Sequence, residues 1–205
     1  MPAAEVSSLR PVRLDGADLR HDDRAWTREQ ADVLFAALRD EIPWTTHRLR
    51  LFGREVEAPR LSCWIGDAGA SYLYSGTRFV PAPWTPAVAR VRDQLAARFG
   101  LAFNSVLANL YRDGRDTVGW HSDDEPELGP APTIASASFG ATRTFVLRSR
   151  ATRRAALSLE LAHGSLLVMA GATQRLYQHA LPRRRRVDAP RINLTFRWIT
   201  PALPR

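Results

Sequence analysis

The segment Arg191-Ile192-Asn193-Leu194-Thr195-Phe196-Arg197 constrains this chain more than any other. Polar and apolar side chains alternate with period two. As a strand it turns Arg191, Asn193, Thr195 and Arg197 to one face and the apolar residues to the other. Two guanidiniums facing inward need a dianion, and their planar forks suit carboxylates. The plain alternative is a pair of sheet arginines in weak surface ion pairs. Asn109-Leu110-Tyr111 repeats the device, with an amide and a phenol on one strand face. Those groups complete the hydrogen bonds that a buried carboxylate demands.

His121-Ser122-Asp123 places an imidazole and a carboxylate at i and i+2, and His179 lies further along. Two histidines and one carboxylate without a nearby cysteine form the donor set of a ferrous facial triad, which leaves metal positions open. Alone, His-x-Asp arises readily by chance. Its weight comes from the two-arginine strand that follows His179.

Thr27-Arg28-Glu29-Gln30 is a capping box, with Ala31, Leu34, Phe35 and Leu38 at helical spacing, so a helix is predicted near 28–40. Thr85-Pro86 opens a second helix that Gly100 closes, with Val88, Val91, Leu95 and Phe99 as its buried stripe. Beyond Gly100 short strands are expected near 103–111, 134–139, 143–149, 156–161, 165–170, 176–180 and 191–199. The fold class is therefore mainly β with α: a jelly roll of two antiparallel sheets backed by N-terminal helices. Residues 1–24 carry no period and read as a loose leader to a single domain over 25–205. Within that domain, 25–102 reads as helices and a lid region, and 103–199 as the jelly-roll core.

The formal net charge is +8, and arginine supplies all 29 basic residues, which favours a polyanionic partner. No run approaches the roughly 18 apolar residues of a membrane span, and no signal peptide is evident, so an intracellular, cytoplasmic protein is expected. The single cysteine, Cys63, sits in the apolar stretch Leu61-Ser62-Cys63-Trp64-Ile65 and reads as a small core residue.

Several blocks occur together and in order: Pro59-Arg60, Gly66-Asp67, Tyr72-Leu73-Tyr74-Ser75-Gly76, Asn109-Leu110-Tyr111, His121 to Glu125, Ile134-Ala135-Ser136, Gly164 to Leu167, His179 and Pro190 to Arg197. From Phe52 to Trp198, roughly three quarters of the chain, they resemble the AlkB family of iron- and 2-oxoglutarate-dependent dioxygenases, in particular its repair enzymes for N-alkylated bases. The resemblance implies a double-stranded β-helix. Its cofactor would be Fe(II), held by His121, Asp123 and His179, with 2-oxoglutarate and O2 as co-substrates. Arg191, Tyr111 and Asn193 would serve the distal carboxylate, and Arg197 and Asn109 the carboxylate near the metal, with Thr195 in the same pocket.

The resemblance also implies substrate contacts. Asp124 and Glu125 would face a flipped base, the plain alternative being a solvated acidic turn. Tyr72, Tyr74 and Ser75 resemble a substrate lid, and Phe52 a hairpin-tip wedge or else a core residue. Arg148 opens an arginine-rich turn, and Arg183, Arg184, Arg185 and Arg186 form a basic run for phosphate contact or a solvated loop. Trp120 reads as packing. The partner implied is DNA, single- or double-stranded, or RNA, acted on by a monomer. The same cofactor chemistry could serve an RNA demethylase or a protein hydroxylase, and a non-catalytic damaged-base binder is a further alternative.

Overall fold

The computed structural model describes residues 9–51, 54–70, 72–74 and 77–200. The strands are β1 (Arg10–Pro11), β2 (Asp18–Asp22), β3 (Thr45–Leu51), β4 (Arg54–Gly66), β5 (Tyr72–Tyr74), β6 (Thr77–Phe79), β7 (Ser105–Tyr111), β8 (Val118–His121), β9 (Ile134–Gly140), β10 (Arg143–Ser149), β11 (Ala155–Leu161), β12 (Ser165–Ala170), β13 (Tyr177–Leu181) and β14 (Arg191–Arg197). The helices are α1 (Arg28–Glu41), α2 (Pro86–Phe99) and the single turn α3 (Thr173–Leu176). Among the described residues no helix is long and apolar enough to cross a membrane.

A major sheet runs β1-β2-β12-β9-β14-β7-β4-β3, and a minor sheet runs β11-β10-β13-β8. The named ladders are antiparallel, as the jelly-roll reading expects. β14 lies centrally between β9 and β7, and all seven of its residues are buried. Its period-two pattern explains why. Ile192, Leu194 and Phe196 face the helices, where they join Leu34, Leu38, Val88, Val91 and Leu95. Arg191, Asn193, Thr195 and Arg197 face the space enclosed with the minor sheet.

Both long helices form where their caps and stripes predict. The Thr27 hydroxyl accepts from the Gln30 N–H while the Gln30 side chain accepts from the Thr27 N–H, which closes the capping box. Gly100 ends α2 at φ 67°, a left-handed cap that favours glycine. α1 packs on β9, β14 and α2.

The loose-leader expectation is corrected for residues 9–24, while residues 1–8 lie outside the described residues. β2 pairs with β12 at the edge of the major sheet, and β1 pairs with β2. Leu19 is buried between polar neighbours, and Asp22 is buried too, so no apolar period marks the strand. The expected boundary at 103 is not a boundary of the sheet either. β4 pairs with β7, so the region read as helices and lid supplies major-sheet strands. The short β8 had no sequence signal of its own, since its burial does not alternate.

Candidate active site

His121 and His179 are cross-strand partners on β8 and β13, which brings their Nε2 atoms to 3.1 Å. Asp123 follows β8, with carboxylate oxygens 4.0 Å from His121 Nε2 and 3.7 Å from His179 Nε2. Three donors bound on one octahedral face at roughly 2.1 Å would lie about 3 Å apart. The observed triangle is slightly wider than that, and a cation at its centre would draw it in.

The protonation states fit a metal as well. His121 Nδ1 faces the Gly119 carbonyl at 2.9 Å, which fixes a proton there and leaves the Nε2 lone pair for a metal. Burial, then the neighbouring His121, pushes His179 down to about 3, so its ring is neutral. Burial would raise the Asp123 carboxyl, but the charge and hydrogen bond of Arg197 overcome this and hold it below its ordinary range. Arg197 Nη2 donates to Asp123 Oδ1 at 2.5 Å. The Asp123 N–H donates to Gln174 Oε1 at 3.0 Å, so a buried amide on α3 orients the carboxylate-bearing turn.

The same pocket is lined by Asn109, Tyr111, Arg191, Asn193, Thr195 and Arg197, all six residues that the sequence set aside for a dianion. Arg191 is buried, donates to Ser138 Oγ at 2.8 Å, and lies 5.3 Å from the Tyr111 ring centre. Burial is the first cause that pushes it down to about 10. Asn193 donates to Ser136 Oγ, and Thr195 donates to Asn193 Oδ1. Leu107, Val118, Phe145, Met169 and Leu181 complete a largely apolar wall.

Sequence reasoning passed over several contributors. Arg60 lines the pocket and donates to Asn109 Oδ1 at 2.7 Å. Its signal was the Pro59-Arg60 block. Ser136 and Ser138 could have been found from the alternation in Ile134-Ala135-Ser136-Ala137-Ser138. Arg143 is 1% exposed and donates to the carbonyls of Asp113, Asp116 and Pro182. Nothing in the local pattern marks it as buried.

Asp124, Glu125, Arg148 and Arg183 to Arg186, set aside for substrate, are not among the described residues that line this pocket. Asp124 is half-exposed and pairs with Arg150 at 2.5 Å. Glu125 is partly buried. Arg148 donates to Gln178 Oε1 and stacks 4.3 Å over the Trp120 ring. Trp120 is 40% exposed, which corrects the packing expectation: it turns away from the core on the outer side of β8. Arg183, Arg184, Arg185 and Arg186 are exposed in the loop after β13. Tyr72 and Tyr74 lie on β5, in a separate hairpin with β6. Phe52 and Ser75 fall outside the described residues.

The pattern of the 2OG-Fe(II) oxygenase superfamily matches residues 19–197. The chain is also 43% identical over 202 residues to the DNA oxidative demethylase ALKBH2 of Homo sapiens, a span of 94% of this chain and 77% of that relative. The chain belongs to the AlkB family of 2OG-Fe(II) oxygenases. It is thus an iron- and 2-oxoglutarate-dependent oxygenase, and the triad fits that metal. Similarity extends to the alpha-ketoglutarate-dependent dioxygenase alkB homolog 3 of Homo sapiens, 40% identical over 182 residues, 84% of this chain and 63% of that one. The solved structure of OsALKBH1 shares the fold at a TM-score of 0.62 and 17% identity, over 93% of this chain and 99% of that one.

Proposed function

We propose that this AlkB-family chain removes methyl groups oxidatively from N-alkylated bases in DNA, of the 1-methyladenine and 3-methylcytosine type. One observation carries the reading. The His-Asp-His triad and two buried guanidiniums line one pocket, in a chain with 43% identity to a DNA oxidative demethylase. When bound, iron with 2-oxoglutarate and O2 supplies the oxidation of an N-methyl group to N-hydroxymethyl, with succinate and carbon dioxide as co-products. The hydroxymethyl adduct then releases formaldehyde and the restored base.

The chain's own groups bind, orient and exclude water. Arg191 and Tyr111 take the distal carboxylate of 2-oxoglutarate. Arg197, with Asn109 held by Arg60, takes the one beside the metal. Phe145, Leu107 and Val118 keep the reacting methyl group in an apolar setting. Asp124 and Glu125 face the base, where a carboxylate suits both the exocyclic amine and the positive charge of such lesions. The Arg150 pair sets the position of Asp124. Arg148, Arg183, Arg185 and Arg186 contact phosphates, which positions the strand without reading its sequence.

The test compares succinate formed with methylated oligonucleotide, unmethylated oligonucleotide and none. Turnover stimulated only by the methylated strand supports the reading. Equal succinate in all three would overturn it. Single-stranded DNA, duplex DNA and RNA arms then rank the substrates.

A further inference from the structure

The arginine run after β13 is not a free loop. Leu181 lines the active-site pocket, so the loop starts at its rim. Its backbone is laced to the turn that follows Tyr111. The Gly114 N–H donates to the Val187 carbonyl at 2.7 Å, and the Arg184 N–H donates to the Gly114 carbonyl at 2.8 Å. The loop closes on itself through Val187 N–H to the Arg184 carbonyl at 2.9 Å. Beneath it, Arg143 joins the two sides. Its guanidinium donates at once to the carbonyls of Asp113 and Asp116 on the turn and of Pro182 at the foot of the loop.

The side chain of Arg184 is committed to the same anchor. Its Nε donates to Thr144 Oγ1 at 2.8 Å, and its Nη2 lies 3.2 Å from Glu160 Oε1. Arg183, Arg185 and Arg186 are exposed. The turn is itself stiffened by charge. Arg112 is bidentate to Asp116, and Arg115 pairs with Asp113.

Only glycine allows this approach. A Cβ at position 114 would sit 1.9 Å from the Arg184 carbonyl oxygen and 2.8 Å from that of Val187. Real Cβ atoms do not approach other heavy atoms to under 3.0 Å, so any side chain there drives the loop outward by about 1 Å.

Resting on the proposed action on DNA, we infer that Gly114 and Arg143 are positioning residues that latch the 182–187 loop into a fixed platform. The platform presents Arg183, Arg185 and Arg186 to nucleic-acid phosphates. A fixed row of cations gains binding by avoiding the ordering cost that a mobile loop would incur. The 112–117 turn thus acts on phosphate contact through the loop that it holds.

The experiment uses Gly114→Ala, with Thr144→Val as a second variant that removes the Arg184 anchor without a backbone clash. The first readout needs no activity: the rate of trypsin cleavage within 183–186, followed by mass spectrometry on metal-loaded protein, beside the thermal midpoint. The second is equilibrium binding of methylated duplex and single-stranded oligonucleotides across a salt series. We expect faster cleavage in the run in both variants at temperatures well below the thermal midpoint, which the clash in Gly114→Ala lowers. Affinity for both oligonucleotides should fall in Gly114→Ala, with the duplex salt dependence flattened by roughly 0.9 in log–log slope for each phosphate no longer neutralised, and less in Thr144→Val. Unchanged cleavage would show that the turn does not hold the loop. Unchanged affinity and salt slope would overturn the platform's role in phosphate contact. Failure of the wild-type protein to bind or turn over either methylated substrate would instead defeat the proposed function, and the cleavage result would still report on the latch.

Discussion

Arg191→Met deletes a buried charge while keeping most of the side-chain volume. Arg191 is 2% exposed, and its protein partners are the Ser138 hydroxyl at 2.8 Å and the Tyr111 ring. Among the described residues no carboxylate pairs with it. Burial, opposed by Tyr111 and reinforced by the neighbouring Arg143, pushes it down to about 10. A depression of that size corresponds to roughly 3 kcal/mol against the charged form in the folded state. At neutral pH the side chain is charged both folded and unfolded, so the penalty is fully present below about 10 and fades only as pH rises toward the unfolded value.

Removing the charge should therefore leave the ligand-free protein as stable as wild type or more so, since burial replaces an ion with an apolar group. The co-substrate should respond in the opposite sense. Losing one side of a buried carboxylate–guanidinium pair costs about 3–5 kcal/mol, two or more decades in affinity. Calorimetry of the manganese-loaded protein, with and without 2-oxoglutarate, measures both effects. At a hundred times its dissociation constant the ligand stabilises wild type by about 2.7 kcal/mol, and the variant should gain almost nothing at the same concentration. An unchanged 2-oxoglutarate response would remove Arg191 from the co-substrate site. A collapse of ligand-free stability would show instead that its charge holds the fold.

Asp123→Ala should abolish turnover and also destabilise the protein by about 3–5 kcal/mol, because Arg197 is deprived of its buried carboxylate partner. Asp123→Ala combined with Arg197→Met should recover much of that stability, read by urea unfolding, with no recovery of turnover. Burial pushes the Cys63 thiol up to about 11, so iodoacetamide at pH near 8 should leave it unmodified in native protein and react on unfolding. Rapid native alkylation would contradict its burial. Replacing Arg183, Arg185 and Arg186 with serine should flatten the salt dependence of duplex binding by roughly 0.9 in log–log slope for each phosphate no longer neutralised. An unchanged slope would return the run to a solvated loop.

Both long helices, most core strands and six polar residues of the co-substrate wall on β7 and β14 were legible in the sequence, because each rests on a local period or cap. β14 is the clearest case: its alternation alone assigned four side chains to the pocket and three to the helices. What was not legible depends on partners distant in sequence. β2 joins the sheet edge through β12, with no apolar period of its own. Arg60 acquires its role through Asn109 across the β4–β7 ladder. Arg143 is buried because three backbone carbonyls from two loops converge on it, which no spacing could announce. Trp120 read as packing because an aromatic in a strand usually is. Its exposure follows from the four-residue β8 carrying His121 inward on the opposite side.

The central claim is that this pocket demethylates alkylated bases in DNA, and intact-mass analysis of a methylated oligonucleotide tests it most directly. With iron, 2-oxoglutarate and O2, a strand carrying one 1-methyladenine should lose the mass of a single methylene, with one formaldehyde and at least one succinate formed per lesion. Omitting 2-oxoglutarate, or using Asp123→Ala, should leave the mass unchanged. An unaltered methylated strand in the presence of active, succinate-producing wild-type protein would contradict the account.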